Sequence, residues 1–142
     1  MCQTGEHGLK ILHEETLTPG VIYKILEGDI HHFKINSLSR TVVDATLDKS
    51  AMLDQSCYQM GKKRKALFVL DRIYFTPYML KKLVEISSKT PDGLEEYNAV
   101  VGDGLLIRIF ETSVMKSLTV QASQSVFLCR NEHDALAWLQ SR

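Results

Sequence analysis

The stretch Ala66–Asp71, which reads ALFVLD, decides the fold class. It is a continuous apolar run of strand length that ends in a carboxylate, and such runs are typical of strands covered on both faces of a sheet. Two further short apolar runs follow, at Asn98–Val101 and Ser125–Cys129, and helical patterns separate all three. Alternation of this kind predicts βαβ units with parallel strands.

Upstream of this region the pattern changes to a hairpin. Val21–Leu26 and Ile30–Ile35 are rich in β-branched and aromatic residues, and a short turn that contains Gly28 separates them. This arrangement predicts an antiparallel pair. Residues 1–19 carry few signals, and we expect a weakly structured arm or an edge strand there, followed by one domain over residues 20–142. The predicted fold is α/β, with a mixed sheet built from the hairpin and parallel strands.

About four helices are expected to flank this sheet. The first extends from about Thr41 to Met60, on apolar residues spaced by three and four. The second opens at Thr76, a good N-cap that Pro77 follows, and extends to about Ser88. The third follows Gly104, and the fourth follows Asn131 as N-cap. The third helix carries an apolar face made of Leu106, Phe110, Val114 and Leu118.

Composition excludes several function classes. Seventeen basic residues balance seventeen acidic ones, and a net charge of zero argues against a nucleic-acid footprint. No apolar run reaches the length of a membrane span, and no secretory signal pattern opens the chain. Three cysteines without a short spacing indicate reduced thiols. We therefore expect a cytoplasmic protein with no nucleic-acid partner and no membrane span.

No motif for a cofactor, a metal or a catalytic nucleophile is present. Gly102-Asp103-Gly104 lacks the third glycine of a dinucleotide-binding loop, so we expect Asp103 to form a turn and cap a helix. His31 and His32 are adjacent in a predicted strand, and their side chains are expected on opposite faces, where they cannot share a metal. The basic run Lys62–Lys65 is interpreted as a solvated helix end. We predict no enzyme activity, no cofactor and no metal.

The second half of the chain resembles the STAS / SpoIIAA-like proteins. The resemblance is carried by the run that ends at Asp71, the segment Asn98–Gly104, and the ending Val126–Leu139, which reads VFLCRNEHDALAWL. In bacterial members of that group, a strand ending in Asp precedes a helix, and an Ala-Leu-x-Trp-Leu helix closes the chain. The resemblance implies a SpoIIAA-like mixed sheet and a non-enzymatic regulatory or protein-interaction role.

The same resemblance implies a switch loop after Asp71. Anti-sigma-factor antagonists of this group are phosphorylated on a Ser or Thr just after the equivalent strand. Here the loop reads DRIYFTP over residues 71–77, and Thr76 is its one Ser/Thr hydroxyl. Thr76 is therefore the candidate phospho-acceptor, and the alternative is that it only caps the second helix.

Five apolar or aromatic residues cluster in this loop and the first turn after it: Ile73, Tyr74, Phe75, Tyr78 and Met79. Either they fold back into the core, or they form a patch for a partner or ligand. We also expect a homodimer that buries this 73–79 segment or the third helix, which is apolar beyond its main stripe.

Three functions stay open at this point. The first is a STAS-like interaction module whose protein partner is unidentified. The second is a binder of a small apolar ligand or lipid, since a related subgroup is compared with CRAL-TRIO lipid carriers. The third is an enzyme with an unrecognised site near Asp71, the residue placed where α/β active sites usually lie. A closed core with an exposed aromatic patch favours the first function, and a large apolar pocket favours the second. A polar cleft with perturbed carboxylates near Asp71 favours the third.

Overall fold

A computed structural model describes residues 3–4, 8–71, 76–114 and 125–142. Its strands are β1 (Gln3–Thr4), β2 (Lys10–Thr18), β3 (Val21–Leu26), β4 (Ile30–Ile35), β5 (Arg64–Leu70), β6 (Glu96–Val101) and β7 (Val126–Cys129). Its helices are α1 (Arg40–Met60), α2 (Pro77–Ser87), α3 (Gly104–Ile109), a π-helical turn (Phe110–Val114) and α4 (Glu132–Gln140).

The strands form one mixed sheet in sequential order, from β1 to β7. Strands β1 to β4 pair antiparallel, and β4 to β7 pair parallel. The predicted α/β fold, with a hairpin beside parallel strands, is therefore confirmed. The arm before Val21 supplies β2, which pairs with β3 along most of its length.

The helices that connect the parallel strands share one face of the sheet, here called the front face. Val42 of α1, Leu80 of α2 and Leu106 of α3 pack in the same core as Phe33 and Val100 of the sheet. In a sheet of sequential order, crossovers of one hand place successive helices on one side. Helix α4 covers the back face instead, through Ala135, Leu136 and Leu139.

Side-chain caps begin the helices where the sequence predicts them. The side-chain oxygens of Thr76, Asp103 and Asn131 accept hydrogen bonds from the backbone N–H of Met79, Leu106 and Asp134. Each cap satisfies one of the N–H groups that the first turn of a helix leaves unpaired.

The third helix differs from the prediction. It is α-helical only to Ile109 and continues as a π-helical turn to Val114, while Leu118 lies outside the described residues. The hydroxyl of Thr112 donates to the carbonyls of Arg108 and Ile109. Back-bonding of this kind competes with α-helical backbone bonds, and it occurs where the helix type changes.

Candidate functional site

A cavity of about 140 Å³ lies between the front face of the sheet and helices α1 and α2. We call it the front cavity. Most of its wall is apolar, and both the sheet and the helices contribute to it. The apolar lining includes Val43, Leu47, Phe68, Leu70, Met79 and Leu83. An apolar cavity with a few polar groups is the usual form of a small-molecule site.

The polar lining centres on the guanidinium of Arg64, a side chain that is only 3% exposed. Its Nε contacts Oδ1 of Asp54 as an ion pair. Its Nη2 donates to Oε2 of Glu96 at 2.8 Å and to Oδ1 of Asn98 at 2.7 Å. We call these four residues the arginine cluster.

Strand alternation and helix periodicity bring the arginine cluster together. Arg64 has the same parity along β5 as Phe68 and Leu70, so all three face the front. Glu96 lies opposite Arg64 in the parallel register of β5 and β6. Asp54 comes from α1, where it shares the buried helix face with Leu47. The cluster therefore lies where the parallel strands begin.

The charges of the arginine cluster do not cancel. One guanidinium faces two carboxylates, so the ionised cluster carries one surplus negative charge. Burial raises the pKa of Asp54 to about 6, Arg64 opposes this shift, and the nearby charge of Glu96 adds to it. Asp54 therefore takes up a proton in mildly acidic solution.

Four buried side-chain atoms of residues that line the front cavity have no hydrogen-bond partner within the described part of the chain. Nε of Arg64 and Oδ1 of Asp54 contact each other as the ion pair, which leaves two atoms to be explained. One is Nη1 of Arg64, and the other is the hydroxyl Oγ1 of Thr46. Thr46 is 4% exposed. Buried polar groups are nearly always paired in folded proteins, so each unpaired group needs an explanation.

A buried tyrosine–histidine pair lies on the same face of the sheet. The Tyr23 hydroxyl is 2.7 Å from Nδ1 of His31. Burial lowers the pKa of His31 to about 4; the charges of Arg64 and Lys49 act in the same direction, and that of Asp29 opposes them. Burial is also the main cause that raises the pKa of Tyr23 to about 12. Both side chains are therefore neutral at physiological pH.

Asp71 and Thr76 lie in different surroundings. Asp71 is exposed and borders an open cleft at the carboxyl ends of the parallel strands, lined also by Lys34, Asp103, Arg130 and Glu132. Thr76 is half-buried, and its hydroxyl oxygen accepts from the N–H of Met79 at 3.2 Å. The N-cap role of Thr76 is confirmed, and its phosphorylation stays a prediction.

The predicted aromatic patch is described only in part. Ile73, Tyr74 and Phe75 lie outside the described residues. Met79 is buried and lines the front cavity. The Tyr78 hydroxyl donates to Oδ1 of Asp44 on α1, and the guanidinium of Arg40 lies 4.8 Å from the Tyr78 ring. Tyr78 and Met79 therefore both make contacts within this chain.

The adjacent histidines point to opposite faces, as predicted. His31 contacts Tyr23 on the front face, whereas Nε2 of His32 lies 3.5 Å from Oε2 of Glu132 at the back. Across residues 3–4, 8–71, 76–114 and 125–142, no group of three or more His, Cys, Asp or Glu residues is placed to hold a metal ion.

The interpretation of Lys62–Lys65 as a solvated helix end is wrong for Arg64, which is a buried residue of β5. The signal was present in the sequence. Arg64, Glu96 and Asn98 occupy the same strand parity as buried apolar residues, and Asp54 occupies a core position of a helical stripe. A polar residue at a core position predicts a buried polar contact, and only the fold shows which side chains meet.

The chain matches no family model, no curated protein and no solved structure. The resemblance to the STAS proteins therefore stays a prediction. No helix within the described ranges is long and apolar enough to cross a membrane.

Proposed function

We propose that this protein is a non-enzymatic binding module that holds a small apolar ligand in the front cavity. The observation that carries the proposal is the cavity itself, which is partly enclosed between the sheet and two helices and has mostly apolar walls beside the buried arginine cluster. A ligand in it buries apolar surface and makes close contacts with these walls.

The size of the cavity limits the ligand. A cavity of about 150 Å³ lined by apolar side chains admits benzene. The front cavity, at about 140 Å³, is comparable. We infer a compound of about six to eight non-hydrogen atoms, such as a single ring or a short branched chain. A whole lipid is too large unless most of it lies outside the cavity.

The other functions stay predictions. A STAS-like interaction role, with a homodimer or an unidentified protein partner, rests on the resemblance and on the surplus of apolar residues in the 73–79 segment and the third helix. The open cleft at Asp71 has charged side chains beside apolar ones, and an enzyme with a site there stays a prediction. We favour ligand binding because, among the described residues, the front cavity is more enclosed than the cleft at Asp71 and its walls are more apolar.

The test is a substitution that places a larger side chain in the front cavity. Ser50 is buried in α1 and lines the cavity, so Ser50→Leu places a larger apolar side chain in it. Ser56 is exposed on the same helix, and Ser56→Leu is the matched control. The probe is toluene, titrated into the ¹⁵N-labelled full chain and followed by amide chemical shifts.

We expect toluene to shift amides of α1, α2, β5 and β6 in the wild type and in Ser56→Leu. Binding to Ser50→Leu is expected to weaken at least about tenfold, because the added side chain occupies the ligand's volume. If toluene binds equally to both variants, the front cavity is not its binding site. A wild type that binds no apolar probe would overturn the proposal.

A further inference from the structure

Arg64 is placed to bind one polar atom of whatever fills the front cavity. Its side chain is 3% exposed and lines the cavity. Nε and Nη2 have partners, but Nη1 has none within the described part of the chain. A guanidinium has five N–H donors, two of them on Nη1, and it accepts no hydrogen bond. The missing partner is therefore an acceptor.

The charge around Arg64 indicates which acceptor fits. Asp54 and Glu96 already contribute two carboxylates against one guanidinium. An anionic ligand would add a third negative charge to a buried site, which is unfavourable without a further cation. The ammonium group of a cationic ligand has no lone pair that could accept from Nη1. The requirement that remains is for a hydrogen-bond acceptor without a charge.

We propose that the ligand of the front cavity carries an uncharged hydrogen-bond acceptor, represented here by a carbonyl oxygen, that accepts a hydrogen bond from Nη1 of Arg64. This inference rests on the proposed function and specifies the chemistry of its ligand. Ketones, aldehydes, esters and amides of about six to eight non-hydrogen atoms share this chemistry. The apolar body of the ligand lies against Phe68, Leu70 and Leu83, and the carbonyl points to the arginine cluster.

A matched set of small probes separates the possibilities. Cyclohexanone carries the neutral carbonyl, and methylenecyclohexane replaces its oxygen by a CH₂ group of similar shape. Cyclopentanecarboxylate supplies an anion, and cyclohexylammonium supplies a cation. Each is titrated into the ¹⁵N-labelled full chain at pH 7.5, and the dissociation constant is obtained from the amide shifts of β5, β6 and α1.

We expect cyclohexanone to bind at least about tenfold more tightly than methylenecyclohexane, because hydrogen bonds to charged groups are the stronger ones. Both ions are expected to bind more weakly than the ketone. In Arg64→Lys, which keeps the charge but loses the planar fork, the ratio between ketone and alkene is expected to fall towards one. If this variant does not fold, the wild-type ratio decides alone.

The remaining outcomes separate this inference from the proposed function. If methylenecyclohexane binds as tightly as the ketone or more tightly, the inferred hydrogen bond to Nη1 is wrong. The cavity is then a purely apolar site, and water is the partner of Nη1. Tighter binding of the carboxylate would overturn the inference in favour of an anion. Binding of none of the four probes would overturn the proposed function and this inference with it.

Discussion

Nε of Arg64 on β5 contacts Oδ1 of Asp54 on α1, so a buried ion pair joins the sheet to its longest described helix. Both residues are less than one-tenth exposed. Taking two charges out of water is costly, and their attraction offsets that cost only while both partners are present. Each residue can therefore remain buried and charged at low cost only while its partner is present.

Removal of one partner is predicted to cost far more than removal of both. Arg64→Met leaves the buried carboxylate of Asp54 without its cation and should lower the free energy of unfolding by about 3–5 kcal/mol. The double variant Arg64→Met/Asp54→Leu should be more stable than that single variant, because no unpaired charge is left at Asp54. Urea denaturation measures all the variants, and a double variant as unstable as the sum of the singles would contradict the prediction.

Asp54 and His31 are predicted to give opposite dependences of stability on pH. The pKa of Asp54 is raised to about 6, so its contribution is fully present below pH 3.8 and is lost as the pH rises through about 6. The pKa of His31 is lowered to about 4, so its contribution is present above pH 6.5 and is lost as the pH falls through about 4. The two contributions to the free energy of unfolding therefore change in opposite directions over nearly the same pH range.

Single variants should reveal each slope. In His31→Gln, the free energy of unfolding should fall more steeply between pH 4 and 6 than in the wild type, because only the Asp54 slope remains. In Asp54→Asn, it should rise over the same range. His13→Gln, at a half-exposed position, is the control. Denaturation at a series of pH values measures the profiles, and parallel profiles in all the proteins would refute the assignment.

The cap at α2 is predicted to matter for stability alone. Thr76→Ala removes the oxygen that accepts the Met79 N–H and should cost about 1 kcal/mol. Thr76→Ser keeps an oxygen at the same place and should cost less. Thermal melts of both variants are compared with their affinity for toluene. A change of ligand or partner binding at unchanged stability would instead assign the 71–77 loop a functional role.

Gly102 is predicted to be required by the side chain of Leu106. A Cβ at position 102 would lie 2.7 Å from Cδ2 of Leu106, which is only 3% exposed and cannot move freely. Gly102→Ala should therefore cost about 1–3 kcal/mol. In the background of Leu106→Val, which has no Cδ atoms, the same substitution should cost less. An equal cost in both backgrounds would exclude this contact as the cause.

The fold was predictable from local patterns. The apolar run at Ala66–Asp71, the helical spacing in α1, and the caps at Thr76 and Asn131 each depend on residues close together in the chain, and each corresponds to an element of the structure. Strand β2 was less apparent, because its residues alternate only weakly between buried and exposed positions. The sequential strand order follows from helical crossovers that connect parallel neighbours.

The arginine cluster was decided by the tertiary structure alone. Asp54, Arg64 and Glu96 come from a helix and two strands, and they meet only because the register of β5 and β6 and the position of α1 are set by the whole core. In the sequence, Arg64 stands in a basic run beside the exposed Lys62 and Lys63, and its strand parity indicates that it is buried but not which side chains it meets. Burial and pairing are properties of the packed state, because they arise from contacts between residues far apart in the chain.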